Sequence, residues 1–270
     1  MTHDTPVALV TGGGGAIGAA FARHLAKRGY HPVLADLDLA AATSVAETVG
    51  GSAITLDVSD RDANLAAVDT ILADHGRLDL ICLHAGIPAG QRAAEPLNLE
   101  RYRRAMAVNV DGVVFGVDAA LPALSVRGGH IVVTSTLATL DPSHANPLYT
   151  LTKAAVLGFI RALANPLKTR GITANALCPG FVDTPMLDVL RPLLADQGYP
   201  LITPDDVAAA MGHVIDAGGT GDAWALIPGQ PPLRYEYPPL PPSLMPDGSP
   251  APDVRFPPPL TPAESQPVRG

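Results

Sequence analysis

Apolar residues along this chain come in short continuous runs separated by Ala-rich stretches with helical spacing. Val7-Ala8-Leu9-Val10 is the first run, and it stops at Thr11-Gly12-Gly13-Gly14-Gly15. A strand covered on both faces reads as continuous rather than alternating apolar sequence, so this run predicts a buried parallel strand. From Ala16 to Arg28 the residues Ile17, Ala20, Phe21, His24 and Leu25 recur at helical spacing until Gly29, which predicts an amphipathic helix closed by glycine. The alternation repeats: strand 32–35 ending at Asp36, helix 39–49, strand 53–56 ending at Asp57, helix 60–75 stopped by Gly76, and strand 78–83 ending at His84-Ala85-Gly86. Helix 98–123, strand 130–134, helix 148–165, strand 172–177, helix 204–217 and strand 224–227 complete it. Strict β-α alternation with apolar strands predicts an α/β, doubly wound parallel sheet in one domain over residues 1–227.

The remainder, residues 228–270, differs in kind. Of 28 prolines, 15 lie between Pro228 and Pro267. Proline lacks a backbone donor and fixes φ, so an extended, Pro-rich C-terminal arm with little regular structure is expected. Its Tyr235, Tyr237, Phe256, Leu233, Leu240 and Leu244 predict an arm that packs its side chains on the body or on a neighbouring subunit. Charge narrows the partners. Lys plus Arg is 18 and Asp plus Glu is 26, for a formal net charge of −8, which argues against nucleic acid or an anionic membrane surface as partner. Cys82 and Cys178 cannot form a disulfide framework, and the histidines are too scattered to indicate a metal site. The N-terminus has neither a basic nor an apolar leader region, and no apolar run reaches the ~20 residues of a bilayer span, so a cytoplasmic protein is expected.

Three groups of residues carry chemistry. Gly12, Gly14, Gly15, Ala16, Ile17 and Gly18 lie between the first strand and the first helix. Glycine there permits a tight turn and close approach of a pyrophosphate, which then sits on the helix N-terminus. Asp36, followed by Leu37, stands at the end of the second strand, where a carboxylate accepts hydrogen bonds from ribose hydroxyls and repels a 2′-phosphate. That selects NAD over NADP. Tyr149 and Lys153 are four apart, hence one turn apart on one helix face. A phenol is a poor base at neutral pH, and the neighbouring ammonium together with a positive nicotinamide is expected to lower its pKa.

Taken in order, Thr11-Gly12 through Gly18, Asp36, Asp57-Val58, Ala85-Gly86, Asn109, Tyr149 with Lys153, and Pro179-Gly180-x-Val182-x-Thr184 closely resemble the short-chain dehydrogenase/reductase family over residues 5 to 227. The resemblance implies a Rossmann fold and hydride transfer between a nicotinamide cofactor and a carbinol or carbonyl carbon. It places Asp57 and Val58 at the adenine, and Ala85 and Gly86 beside the adenosine. Pro179, Gly180, Val182 and Thr184 fall at the carboxamide, Lys153 at the nicotinamide ribose, and Asn109 at a water that relays protons through Lys153. It also implies pairing into a homodimer or homotetramer through helices 98–123 and 148–165.

Three positions depart from the family pattern. Ala16 stands where the family has a glycine. Leu83-His84-Ala85-Gly86 replaces Asn-Asn-Ala-Gly, leaving His84 to brace the sheet. The family serine, thirteen before the tyrosine, is Thr136, with Ser135 one place earlier. Either hydroxyl can stabilise charge developing on a substrate oxygen, and Thr136 is the preferred candidate. His144 is a candidate substrate contact. In the expected lid, 183–204, Met186, Leu187 and their apolar neighbours suit an apolar or aromatic secondary alcohol or ketone. The expected function is therefore an NAD-dependent alcohol dehydrogenase or carbonyl reductase. The alternative is a dinucleotide-binding regulator or scaffold of the same fold without turnover.

Overall fold

The computed structural model describes residues 5–90, 95–141 and 146–252. Eight strands form one sheet: β1 (Val7–Thr11), β2 (His31–Asp36), β3 (Ser52–Thr55), β4 (Leu80–Leu83), β5 (Gly129–Thr134), β6 (Ile172–Pro179), β7 (Ala223–Leu226) and β8 (Leu233–Arg234). Their order is β3-β2-β1-β4-β5-β6-β7-β8. All neighbours are parallel except β7 and β8. Strand order reverses between β1 and β4, and folds of this kind bind ligands in the crevice beyond the carboxyl ends at that point.

Why the strands read as unbroken apolar runs is visible in β1. Val7 and Leu9 face one buried cluster, while Ala8 and Val10 face another. Successive side chains of a strand point to opposite faces, so a sheet covered on both faces needs every position apolar. One cover consists of α3 (Arg61–His75), α5 (Gly112–Arg127) and α6 (Pro147–Lys168), which bury Ile71, Leu124 and Ile160. The other is α1 (Ala16–Lys27), α2 (Leu39–Val49) and α8 (Pro204–Asp216), with Phe21, Leu25 and Met211 fully enclosed. The helix starts follow local chemistry. Asp38 and Asp60 cap α2 and α3 through their carboxylates, and Thr203 with Asp206 forms a capping box on α8.

Three features refine the expected elements. Helix 98–123 is a run of α4 (Leu99–Met106), a π-helical turn Ala107–Asp111 and α5. Such widened turns mark functional positions in helices, and this one carries Asn109. The run Leu99–Arg127 is long and apolar enough, by length and composition, to cross a membrane, contrary to the expectation of no such stretch. Its Val113, Val117 and Leu124 are buried on the sheet, as in a core helix. The Pro-rich segment does not begin as an unstructured arm: Leu233–Arg234 extends the sheet, and Tyr235 donates its N–H to the Ala223 carbonyl at 2.8 Å.

The chain divides into two compact units, Met1–Tyr235 and Glu236–Gly270. Within the second unit a small hairpin pairs Leu244 with Pro250. Met245 and Ala251 supply its N–H donors, so Pro246 and Pro250 sit where no donor is required. Leu240 and Leu244 are exposed. Phe256, also expected in the arm's packing, lies outside the described residues.

Candidate active site

The carboxyl ends of β1, β4, β5 and β6 open into a cavity of about 910 Å³, within the range of small-molecule and cofactor sites. At its first edge the chain leaves β1 through Gly12, whose φ of +71° favours glycine. Gly18 permits the closest approach in the turn, since a Cβ there would lie 2.1 Å from the Gly12 carbonyl oxygen. Gly15 is the N-cap of α1 and offers no side chain to its N–H groups. Those donors have no capping side chain, an arrangement suited to phosphate. Gly12, Gly14, Gly15, Ala16 and Ile17 line the cavity, and Gly18 serves the packing behind it. Asp36 binds the turn to β2: its carboxylate accepts from Gly14 N at 2.9 Å and from Asp38 N at 3.0 Å. Leu37, exposed beside it, also lines the cavity. Asp57 accepts from the hydroxyl and N–H of Ser59 (2.6 and 2.9 Å), which hold its carboxyl below the usual range, while Val58 packs under Gly112.

Behind this edge, Thr11 Oγ1 accepts from the N–H groups of His84 (3.1 Å) and Ala85 (3.2 Å), tying β1 to the β4 exit. His84 Nδ1 meets Thr134 Oγ1 at 3.0 Å, and its ring stands edge-on to Phe21 at 5.4 Å. The imidazole thus joins the ends of β4 and β5, the bracing position anticipated for it. Burial, reinforced by the Lys153 charge, lowers its pKa to about 3, so it is neutral.

Asn109 is fully buried, and its amide is committed. Oδ1 accepts from Ile87 N at 2.8 Å, and Nδ2 donates to the Ile87 carbonyl at 2.9 Å and to Thr152 Oγ1 at 3.1 Å. The amide holds the loop after β4 against α6 and does not line the cavity. Gly86 makes room for this junction, because a Cβ there would press on Lys153 Nζ and Asn109 Oδ1.

Tyr149 and Lys153 stand on the first turns of α6, whose N-cap Asn146 accepts from Tyr149 N at 3.1 Å. Lys153 Nζ donates to the Thr134 carbonyl at 2.8 Å and lies 5.7 Å from the Tyr149 ring centroid. Burial lowers the ammonium to about 8 and pushes the phenol up to about 12. In the chain alone the phenol thus stands above its ordinary value, and the expected lowering calls for the nicotinamide charge as well as the ammonium. The ammonium sits over the ring, and loss of water penalises phenolate more than the ammonium helps it.

The two candidate hydroxyls both belong to the cavity lining and differ in burial and partners. Ser135 is buried, and its hydroxyl donates to the Lys153 carbonyl at 3.0 Å. Thr136 is partly exposed on the cavity wall, held only by a long 3.4 Å bond to the Pro179 carbonyl. Pro179, Gly180, Val182 and Thr184 line the next stretch of wall. The lid beyond them is anchored at both ends: Val182 bridges Ile202, Asp183 N donates to the Ile202 carbonyl, and Ile202 N returns a bond to Phe181. Arg191 clasps it from outside through Asp183, Asp188 and the Thr184 carbonyl. Met186 is half-exposed and Leu187 buried, and both line the cavity. His144 lies outside the described residues. Arg104, Asp141, Asn146, Thr150 and Phe181 also line the cavity and were not anticipated. Only Asn146 had a legible signal, an N-cap residue three before Tyr149. No cluster of potential metal ligands occurs among the described residues.

Comparison with known proteins agrees with this geometry. A family model described as short chain dehydrogenase matches residues 6–193. A short-chain dehydrogenase reductase of Arabidopsis thaliana is 32% identical over 212 residues, 77% of this chain and 78% of the relative. The cyclohexanol dehydrogenase of an Acinetobacter strain is 33% identical over 221 residues, 78% and 88% of the two chains. Among solved structures, a 3-ketoacyl-(acyl-carrier-protein) reductase from Brucella melitensis, complexed with NADH, superposes with a TM-score of 0.78 at 30% identity. That match covers 83% of this chain and 97% of the reductase.

Proposed function

The chain belongs to the short-chain dehydrogenase/reductase family of oxidoreductases, and from that premise we propose that it oxidises an apolar or aromatic secondary alcohol, or reduces the matching ketone, with NAD(H). The cofactor, when bound, accepts or supplies the hydride. The observation that carries the reading is the convergence on one cavity of the Gly-rich turn, Tyr149, Lys153 and an accessible Thr136 hydroxyl.

In this reading the Thr136 hydroxyl orients the substrate oxygen and stabilises charge on it. Tyr149 Oη takes the proton from the alcohol, or returns it to the alkoxide. The neighbouring Lys153 ammonium is the residue that favours phenolate, and its pKa of about 8 lets it pass a proton on near neutral pH. Since the Asn109 amide is spent on Ile87 and Thr152, any water relay at this residue uses its main chain. Asp36 accepts from the adenosine ribose and repels a 2′-phosphate. The same reading places the enzyme in the cytoplasm, as a homo-oligomer paired through the α4–α5 run and α6.

A panel of secondary alcohols followed by NADH absorbance tests it. Alcohol-dependent NADH formation is expected with apolar members. Dinucleotide binding without NADH formation across the panel overturns it in favour of a binding-only member of the family.

A further inference from the structure

The cavity does not end at Tyr149 and Thr136. Beyond them it continues between the turn Leu137–Thr139 and the lid, where Leu137, Met186, Leu190, Phe181 and Tyr199 make an apolar wall; the last two rings are T-shaped at 5.6 Å. Among the described residues, one charged group stands in this wall. Asp141 is fixed at the end of the turn by a 2.9 Å bond from its own N–H to the Leu137 carbonyl. Its carboxylate has no hydrogen-bond or ion-pair partner among the described residues, and it is exposed to the cavity.

The other two carboxylates of the cavity are different: Asp36 accepts from Gly14 and Asp38, and Asp57 from Ser59. Two basic side chains line the cavity among the described residues. Arg104 acts electrostatically on Asp57 at the far end. Lys153 is buried behind Tyr149 and already donates to the Thr134 carbonyl. Among the described residues, the substrate end therefore holds a negative charge on an apolar wall with no positive charge beside it. A ligand that fills this space gains by bringing a donor to Asp141 and loses by bringing a carboxylate.

We infer that Asp141 is a specificity-determining residue. It selects alcohols whose apolar frame carries a second hydrogen-bond donor remote from the reacting carbon, a protonated amine above a hydroxyl, and it disfavours substrates with a carboxylate there. The inference rests on the oxidoreductase reading above.

The test compares kcat/KM, by NADH formation at neutral pH, for cyclohexanol and its para-amino, para-hydroxy and para-carboxylate derivatives. Wild type is expected to rank amine over hydroxyl over carboxylate. A charge-assisted bond, weakened by partial solvent access, gives an amine-to-carboxylate ratio of about 10- to 100-fold. Asp141→Asn should compress that ratio at least about fivefold, while Asp141→Glu keeps the order. Cyclohexanol oxidised without an amine preference, or all substrates scaled equally by Asp141→Asn, overturns this inference alone. No NADH from any of the four alcohols overturns both this inference and the oxidoreductase reading.

Discussion

The two halves of the cavity are built by different means. The half around the Gly-rich turn is made of strand ends and backbone, and its side chains already have partners: Asp36 on Gly14 and Asp38, Asp57 on Ser59, His84 on Thr134. The half around Leu137 and the lid is made of loop side chains held from outside, by the Val182–Ile202 bridge and the Arg191 clasp. The first offers fixed backbone groups of the kind that hold a dinucleotide, and in the proposed reaction the second is the wall that the substrate meets. The proposed catalytic pair sits at the seam. Tyr149 and Lys153 belong to a core helix, and Thr136 lies on the cavity wall beside Pro179.

Substitutions at the seam should have the largest effects and should separate chemistry from binding. Tyr149→Phe should lower kcat by about 100- to 10,000-fold, the usual scale of general acid–base catalysis, with NADH affinity by fluorescence titration nearly unchanged. Retention of a third of wild-type activity would remove Tyr149 from the mechanism. Thr136→Ala follows, with a loss of about 10- to 1,000-fold as for a charge-stabilising donor, and Thr136→Ser should restore most of it. Ser135→Ala should instead act on stability, because its hydroxyl serves the Lys153 carbonyl. A thermal melt beside the rate assay distinguishes the two. A crippled but stable Ser135→Ala would exchange their roles.

The seam also marks where the sequence stops being readable. Buried parallel strands are legible because both faces demand apolar residues, and Asp36, Tyr149 and Lys153 because their spacing from a strand end or along a helix carries their geometry. Two helices expected to end at residues 123 and 165 carry Pro122 and Pro166 inside them. The structure runs them on to Arg127 and Lys168, since burial of Leu124 and Leu167 outweighs one missing donor. Nothing local announces that the Ser135 hydroxyl is taken by the Lys153 carbonyl while that of Thr136 makes only a long bond, for neighbouring hydroxyls differ only in what the fold brings to them. The high pKa of the Tyr149 phenol was equally hidden, because desolvation is set by residues far away in the chain. Arg104, Asp141 and Phe181 reach the cavity from loops and a helix whose positions only the fold defines.

In the pre-organised half, the next test concerns charge rather than chemistry. Asp36→Ala combined with Leu37→Arg should shift the NAD-to-NADP preference by about 100-fold, because a repulsive carboxylate is replaced by a guanidinium at the 2′ position. Dissociation constants for NADH and NADPH measure it directly. The Asp36 carboxylate also tethers Gly14, so affinity for both cofactors should fall somewhat. A wild-type protein that already binds NADPH more tightly would overturn the assignment of Asp36.

The smallest effect expected is on stability, and it tests whether His84 belongs to the rigid half. Its folded pKa, about 3, lies below the ordinary value of 6.5 because burial excludes the imidazolium. The unfolded chain therefore takes up a proton that the folded chain refuses. Stability is whole above about pH 6.5 and is lost as pH falls from there toward 3. Between pH 7 and pH 5 this group alone removes about 2 kcal/mol. Lys153, lowered to about 8, works in a higher window: its penalty is complete below about pH 8 and is relieved as pH rises toward 10.5, so it adds little slope between 5 and 7. His24, His31 and His130 are also lowered by burial and slope in the same direction as His84, but they are common to both proteins compared. His84→Asn keeps a polar side chain facing Thr134 and removes the titration. Urea unfolding at pH 7 and pH 5 should therefore show a smaller acid-induced loss in His84→Asn than in wild type, whatever the change in absolute stability at pH 7. Equal losses would mean that His84 is solvated enough to accept a proton in the folded state, and that the wall behind the cofactor half is less closed than its hydrogen bonds to Thr11 and Thr134 imply.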